Sequence, residues 1–462
     1  MNTPLSPLSV LRLRSLPLVQ VVTRNDEGTL IARQDASPYV QTQLISSEAP
    51  EFPHFPALLL PDGSPWIHGN LYLLSKITST QDSDSIVDQQ TLSTIARELK
   101  LFIEEIESTG LNYLCFPTRK LQRPTYYYAS KLKKKYEAGE ISGKTRNKKI
   151  GCVIGFYVWL QTQHDFRPLN SLWDESTKII TYLDEKGFPH QKLVKSNNLR
   201  YATTSEKNSV EGYINDGGAL RPYERKEQDA LIEALSRIDN TELKLICIFA
   251  LLTGARIQTV LTLRKQNIIN IAEENGTRTF SLKVGNGTGV DTKKGKRFIL
   301  RVPEWLHHRL RVYVNSPRHK ARHAKASEKV QSNDYIFLTE DGLPFYASKD
   351  DKSLIEYRNI PKGDALRQTI RRSLQPILNE SPEPFQFRFH DLRATFGMNL
   401  KDELWARMEK NEMTFMQVVN EVKERLAHSK IETTMQYLNY KRKADNLNAG
   451  IEAIEARLKT LV

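Results

Sequence analysis

The chain has 462 residues, 39% apolar and 26% charged, which exceeds what one hydrophobic core usually organises, so two or three globular domains are expected. A net charge of +13 at pH 7 favours a polyanionic partner. Three scattered cysteines (Cys115, Cys152, Cys247), no HExxH, CxxC or GxxxxGK[ST] pattern, no signal-peptide pattern and no run of roughly 20 apolar residues argue against a disulfide scaffold, a metal, ATP and a membrane, and for the cytoplasm or nucleoid.

Residues 1–85 read as a Pro-rich N-terminal extension. Nine of the 21 prolines fall in the first 65 residues, among short apolar runs such as LPLVQVVT and FPALLLP. Irregular β structure or loop is expected there, and its role is open: a DNA-binding arm, a protein-contact surface, or packing for its neighbour. From Thr91 the pattern turns helical, with TLSTIARELKLFIEEIESTGL placing Ile95, Leu99, Phe102, Ile103 and Ile106 on one face. Pro124 suits a helix start and Ser142 an N-cap. Between Lys131 and Lys149 eight basic residues stand against two Glu: Lys131, Lys133, Lys134, Lys135, Lys144, Arg146, Lys148 and Lys149. Tyr126, Tyr127, Tyr128 and Tyr136 are interleaved with them. Such a run is usually just a solvated face, yet basic helices with tyrosines also suit phosphate contacts, so these eight are the candidate DNA-binding residues. Residues 86–175 thus read as a small all-helical domain.

Residues 176–221 read as a linker region, since KSNNLRYATTSEKNSVEGYINDGGALR (195–221) is polar and contains glycine. PYERKEQDALIEALSRI (222–238) opens a second domain spanning 222–445. Within it TRTFSLKV and KRFILRVP read as strands joined by the Gly-rich GNGTGVDTKKG, and DYIFLTEDGLPF (334–345) as another short strand and turn. The rest is helical, so the expected class is mainly α with a small β-sheet. The tail NLNAGIEAIEARLKTLV (446–462) repeats Leu447, Ile451, Ile454, Leu458 and Leu461 at helical spacing, as one apolar stripe.

The stretch LICIFALLTGARIQTVLTLRKQNI (245–268) sets Arg256 inside an otherwise apolar segment. A buried guanidinium without a partner is costly, so an anion is expected beside it. A second cluster, FHDLRATFGMNL (389–400), puts His390 and Arg393 on one helix face. A third, RLAHSKIETTMQYLNY (425–440), holds His428 and Tyr437. Each alone is most often ordinary surface or core. In order, however, TGAR, a Lys-bearing hairpin, HDLR and AHSKIETTMQY resemble the tyrosine recombinases, the phage-integrase family of DNA strand-exchange enzymes, over residues from about 90 to 440.

The resemblance implies a helical, SAM-like core-binding domain over 86–175 and an α+β catalytic domain over 222–445. It matches Arg256 and Arg393 to the two family arginines, His390 to the HxxR histidine and His428 to the histidine before the nucleophile. Tyr437 stands at the nucleophile. The hairpin lysine is the loosest match, because Lys293, Lys294 and Lys296 crowd together in DTKKGKRF; Lys293, after Thr292, is favoured. Three departures are visible. Thr259 replaces a usual acidic residue three positions after Arg256, so support for Arg256 must come from elsewhere. LAH replaces LGH, which suggests a looser helix start at Ala427. The gap of 35 residues from Arg393 to His428 suggests an inserted helical stretch in KDELWARMEKNEMTFMQVV.

The implied chemistry needs these residue types. Arg256 and Arg393 would clamp the nonbridging oxygens of a phosphorane, which needs no metal, and His428 would hydrogen-bond the phosphate. Tyr437, with a reference pKa near ~10, needs a base, for which His390 is the candidate. Lys293 would protonate the departing 5′ oxygen. The tyrosyl ester keeps the bond energy, so no cofactor is implied. The partner would be double-stranded DNA, bound by a free monomer or dimer that becomes a homotetramer at synapsis, with 446–462 docking in trans. The alternatives are a type IB topoisomerase-like or hairpin-forming strand transferase, or a non-catalytic DNA-binding protein on the same scaffold.

Overall fold

The first unit, Met1–Ser205, is organised around the helix Gln89–Glu107. Leu99, Phe102, Ile103 and Ile106 line its buried face, as the spacing predicts, Leu92 joins them, and Ile95 packs half-buried beside them. The computed structural model describes residues 8–17, 22–24, 30–32, 51–81, 87–163, 166–183, 189–200, 212–269, 272–273 and 279–440. The tail 446–462 lies outside them.

Around that helix stand Ile67–Gln81, Pro124–Glu137 and Gly143–Gln163. Pro124 occupies the first turn, where its missing N–H would have had no partner anyway. Ser142 Oγ accepts the Thr145 N–H at 3.1 Å, capping the last helix. The described part of the Pro-rich extension holds regular strands and a helix. Ser9–Pro17 pairs antiparallel with Glu51–Leu59, and Phe52, Phe55, Leu58 and Trp66 bury in the same core as the helices. A two-stranded sheet consists of edges, where the absent donors of Pro53 and Pro56 are tolerated. Of the three roles left open for this segment, packing against the helices is the one its described part performs. The region 176–221 holds an antiparallel hairpin, Glu175–Leu183 with Pro189–Asn197, and the boundary between the units after Ser205.

The second unit, Glu206–Val462, is α+β. Its helix Arg225–Arg237 starts on a capping box between Glu224 and Glu227. The two sequence-predicted strands are Thr279–Val284 and Phe298–Pro303, antiparallel with Val284 opposite Phe298, and Ala272–Glu273 adds a third strand. DYIFLTEDGLPF forms no ladder. Isolated bridges join Arg264 to Tyr335 and Leu338 to Pro344, and the Tyr335 hydroxyl donates to Asp351 Oδ2 at 2.8 Å. The stretch between Arg393 and His428 is two helices, Asp391–Glu409 and Phe415–Arg425, the second started by a Thr414–Gln417 capping box. Residues 431–440 are helical. The class is therefore mainly α with small β-sheets. Among the described residues, no helix is long and apolar enough to cross a membrane.

Candidate active site

Arg256 does not sit inside a helix. The helix Thr241–Thr253 ends at Gly254, whose φ of 67° is the left-handed cap that glycine adopts most cheaply. The chain restarts as Ile257–Leu261 with Arg256 as its N-cap residue. The guanidinium thus projects from a break between two apolar helices. His390 likewise stands at the N-cap of Asp391–Glu409, with Arg393 in the first turn.

The expected looser helix start at Ala427 is corrected: this is a helix end. The His428 N–H donates to Lys423 O and the Ala427 N–H to Glu424 O, both at 2.9 Å, closing a Schellman motif after Phe415–Arg425. Ala427 takes the left-handed position, at φ 49°, where glycine would be unstrained. The turn leaves the Leu426 and Ala427 carbonyls free for side chains, and both are used.

Tyr437 is fully buried on the helical stretch 431–440, its ring packed against Gly397. A Cβ at Gly397 would collide with the ring edge, so this position needs glycine for close approach.

These groups converge on one carboxylate that sequence reasoning missed. Asp216 lies at the tip of a short hairpin, Ile214–Asn215 paired with Ala219–Leu220. Its Oδ1 accepts from Arg256 Nη2 at 2.7 Å. Its Oδ2 accepts from Arg393 Nε at 2.5 Å, and from His428 Nε2 and the Tyr437 hydroxyl at 3.3 Å each. His390 Nε2 stands 3.3 Å from the Asp216 backbone oxygen. Arg393 also donates from Nη1 to Gly254 O (2.8 Å) and from Nη2 to Leu426 O (2.6 Å), which fixes its plane. Arg256 is less committed: its buried Nε has no hydrogen-bond partner among the described residues. The support for Arg256 that Thr259 does not give comes from Asp216, 40 residues upstream.

Protonation follows from this geometry. Burial alone would raise Asp216, but the His428 hydrogen bond and the Arg393 and Arg256 charges outweigh it and hold the carboxyl far below its ordinary range. Burial, then the two arginines, lowers His390 to about 4, so its imidazole is neutral at pH 7. Burial also lowers His428. A carboxylate only accepts, so His428 carries its proton on Nε2, and Nδ1 accepts from Thr434 Oγ1 at 2.9 Å. Burial raises the Tyr437 hydroxyl, which is therefore protonated.

The three hairpin lysines separate. Lys293 is exposed, and a Cβ added at Gly217 would lie 2.9 Å from its Nζ and 3.8 Å from His390 Nε2, so it borders the Asp216 tip. Lys296 Nζ donates to Ala427 O at 2.8 Å, and burial with the Lys423, Arg256 and Arg393 charges lowers it. Lys294 is exposed, at φ 61°. No hydrogen bond joins His390 to Tyr437; the ring beside the tyrosine is His428, with centroids 5.3 Å apart. Next to His390 a cavity of about 620 Å³ is lined by Arg367, Arg371 and Arg388.

The eight basic residues of the first unit divide. Lys133, Lys134, Lys135, Lys144 and Lys148 are exposed. Lys131 pairs with Glu105 at 3.2 Å. Lys149 is tied to the buried Glu98 at 2.6 Å, and the buried Arg146 lies over the Tyr136 ring at 4.7 Å. The last two are turned toward the helical core.

Neither a protein-family model nor a curated protein matches the chain. Among solved structures it is similar to the Tn1549 transposon integrase in complex with circular intermediate DNA, at 13% identity over 80% of this chain and 94% of that one, with a TM-score of 0.43. It is similar to the same integrase with transposon right end DNA at 14% identity, over 83% and 99% of the two chains, with a TM-score of 0.42. A lambda integrase dimer bound to a COC′ core site matches at 13% identity, over 79% and 93%, with a TM-score of 0.42.

Proposed function

We propose that the chain is a site-specific DNA recombinase of the tyrosine type, cutting and rejoining double-stranded DNA through a 3′-phosphotyrosyl intermediate. One observation carries this reading: Arg256, Arg393, His428 and Tyr437, from separate elements, surround a single anion position. Phosphoryl transfer needs such a place, with forked cations for the nonbridging oxygens and a hydroxyl aimed at phosphorus.

With a phosphodiester in the cradle, Arg256 and Arg393 hold its nonbridging oxygens and the unused Arg256 Nε gains an acceptor. His428 donates from Nε2. Tyr437 attacks phosphorus; the neutral His390 is the available base for its proton, and the bond to the 5′ oxygen breaks as Lys293 protonates that oxygen. The 5′ hydroxyl of a partner strand then reverses the step. The arginines beside the His390 cavity and the exposed lysines of the first unit supply backbone contacts. Assembly into a homotetramer at synapsis, with 446–462 docking on a neighbour, belongs to the same proposal.

A two-site plasmid carrying the native target tests it. Recombinant products that vanish with Tyr437→Phe are expected. Relaxation of a plasmid lacking any partner site, without recombinants, would replace the reading with a topoisomerase.

A further inference from the structure

We propose that Asp216 is an internal stand-in for the scissile phosphate, and that the hairpin tip carrying it must withdraw before DNA can be cleaved. The inference rests on the recombinase reading and concerns how that site is regulated.

A carboxylate and a phosphodiester share a single negative charge and a fork of two acceptor oxygens. Each group assigned above to the phosphate already holds Asp216: Arg256 on one oxygen, and Arg393, His428 and Tyr437 on the other. Asp216 is 5% exposed, so the cradle is filled as well as neutralised. Two anions cannot share it, since the second would face the first at contact range in a poorly solvated site.

The hairpin also covers the approach. The Asn215 N–H donates to Gln436 Oε1 at 2.7 Å, one residue before the nucleophile. The Ala219 carbonyl accepts from Arg388 Nη2 at 3.1 Å, beside His390. Its feet, Ile214 and Leu220, are fully buried in the core that contains Tyr437 and Leu438. Its tip is different: Asp216 is followed by Gly217, at φ 78°, and Gly218. Two successive glycines let the tip swing while the apolar feet stay fixed. The polar latches can be exchanged for water at little cost.

Asp216 could instead be the base that deprotonates Tyr437, whose hydroxyl it accepts. Its surroundings oppose that role, because two guanidiniums and a histidine hold it far below the usual carboxylate range, while burial raises the phenol. The neutral His390 is the stronger base in the site.

The test compares the full chain with Asp216→Asn, which keeps the shape and removes the charge, using inorganic phosphate as the probe in calorimetry. If Asp216 fills the cradle about nine-tenths of the time or more, its loss should tighten phosphate binding by at least about tenfold. On a nicked suicide duplex the variant should reach half-saturation at lower DNA concentration than wild type. Phosphate binding no tighter than wild type, or a plateau lowered by orders of magnitude as loss of a base requires, overturns the proposal. Should Asp216→Asn not fold, the wild-type chain decides: phosphate should speed amide hydrogen exchange at Asn215 and Asp216, and unchanged or slower exchange in the phosphate-bound protein overturns it. Tighter phosphate binding by the variant with no DNA adduct from either protein would leave the stand-in upheld and the recombinase reading lost. An adduct from wild type without tighter binding by the variant would do the reverse.

Discussion

Replacing Arg393 by Lys keeps the charge and removes the fork. The side chain is 2% exposed and donates from three nitrogens, to Asp216 Oδ2 at 2.5 Å, Gly254 O at 2.8 Å and Leu426 O at 2.6 Å. One ammonium cannot reproduce three directions fixed in a plane, so at least one buried carbonyl loses its donor, at about 1–3 kcal/mol of stability. In the transition state, loss of one preorganised donor costs about 2.7–4 kcal/mol, or roughly 10²–10³ in rate. Arg393→Lys should therefore fold, with a lower denaturant midpoint, and bind duplex DNA nearly as wild type through its other phosphate contacts. Covalent adduct formation on a nicked suicide substrate should fall by about 10²–10³. Cleavage within about tenfold of wild type would refute the clamp, because that rate is incompatible with losing a transition-state donor.

Gly397→Ala would push a Cβ into the Tyr437 ring; about 1–3 kcal/mol of stability and roughly 10² in adduct rate should be lost, and an unaffected rate would mean that the ring position is not critical. A bridging 5′-phosphorothiolate needs no proton on its leaving group, so it should rescue Lys293→Ala; rescue of Lys296→Ala alone would reassign the acid to the lysine that donates to Ala427 O. His390 is held near 4 in the fold against an ordinary 6.5, so the unfolded chain binds its proton first as pH falls. Its contribution is complete above pH 6.5 and is lost toward pH 4, by about 2 kcal/mol between pH 7.5 and 4.5. Urea midpoints at those two pH values should fall less for His390→Gln than for wild type, and equal falls would contradict the assignment.

Much of the second unit was legible in the chain because its signals are local. The strands Thr279–Val284 and Phe298–Pro303 alternate and flank a Gly-rich turn, and the side chains proposed to react sit in short motifs. Asp216 was not legible. In YINDGGALR it reads as a turn residue, and nothing local marks that the hairpin folds back onto Arg256, Arg393 and His428. The N-terminal region was harder to read: Pro53 and Pro56 sit on a two-stranded sheet, and the helix Ile67–Gln81 begins only after Pro65. Charge counting could not separate the exposed Lys134 and Lys148 from Lys149, whose partner Glu98 lies 51 residues away in sequence. Ala427 was read as loosening a helix start, because the Schellman turn depends on hydrogen bonds back to Lys423 and Glu424.

The most direct measurement is to trap the protein on a nicked duplex carrying its target, digest the denaturation-resistant adduct, and find the modified residue by mass spectrometry. Tyr440 is the informative control: it lies one turn further on, only half-buried, with its hydroxyl donating to Gly212 O at 2.9 Å. The expected result is a single 3′-phosphonucleotide ester on Tyr437, absent from Tyr437→Phe and retained in Tyr440→Phe. An ester on Tyr440, a 5′-linked ester, or no adduct from a folded, DNA-bound protein would contradict the assignment of Tyr437 as the nucleophile.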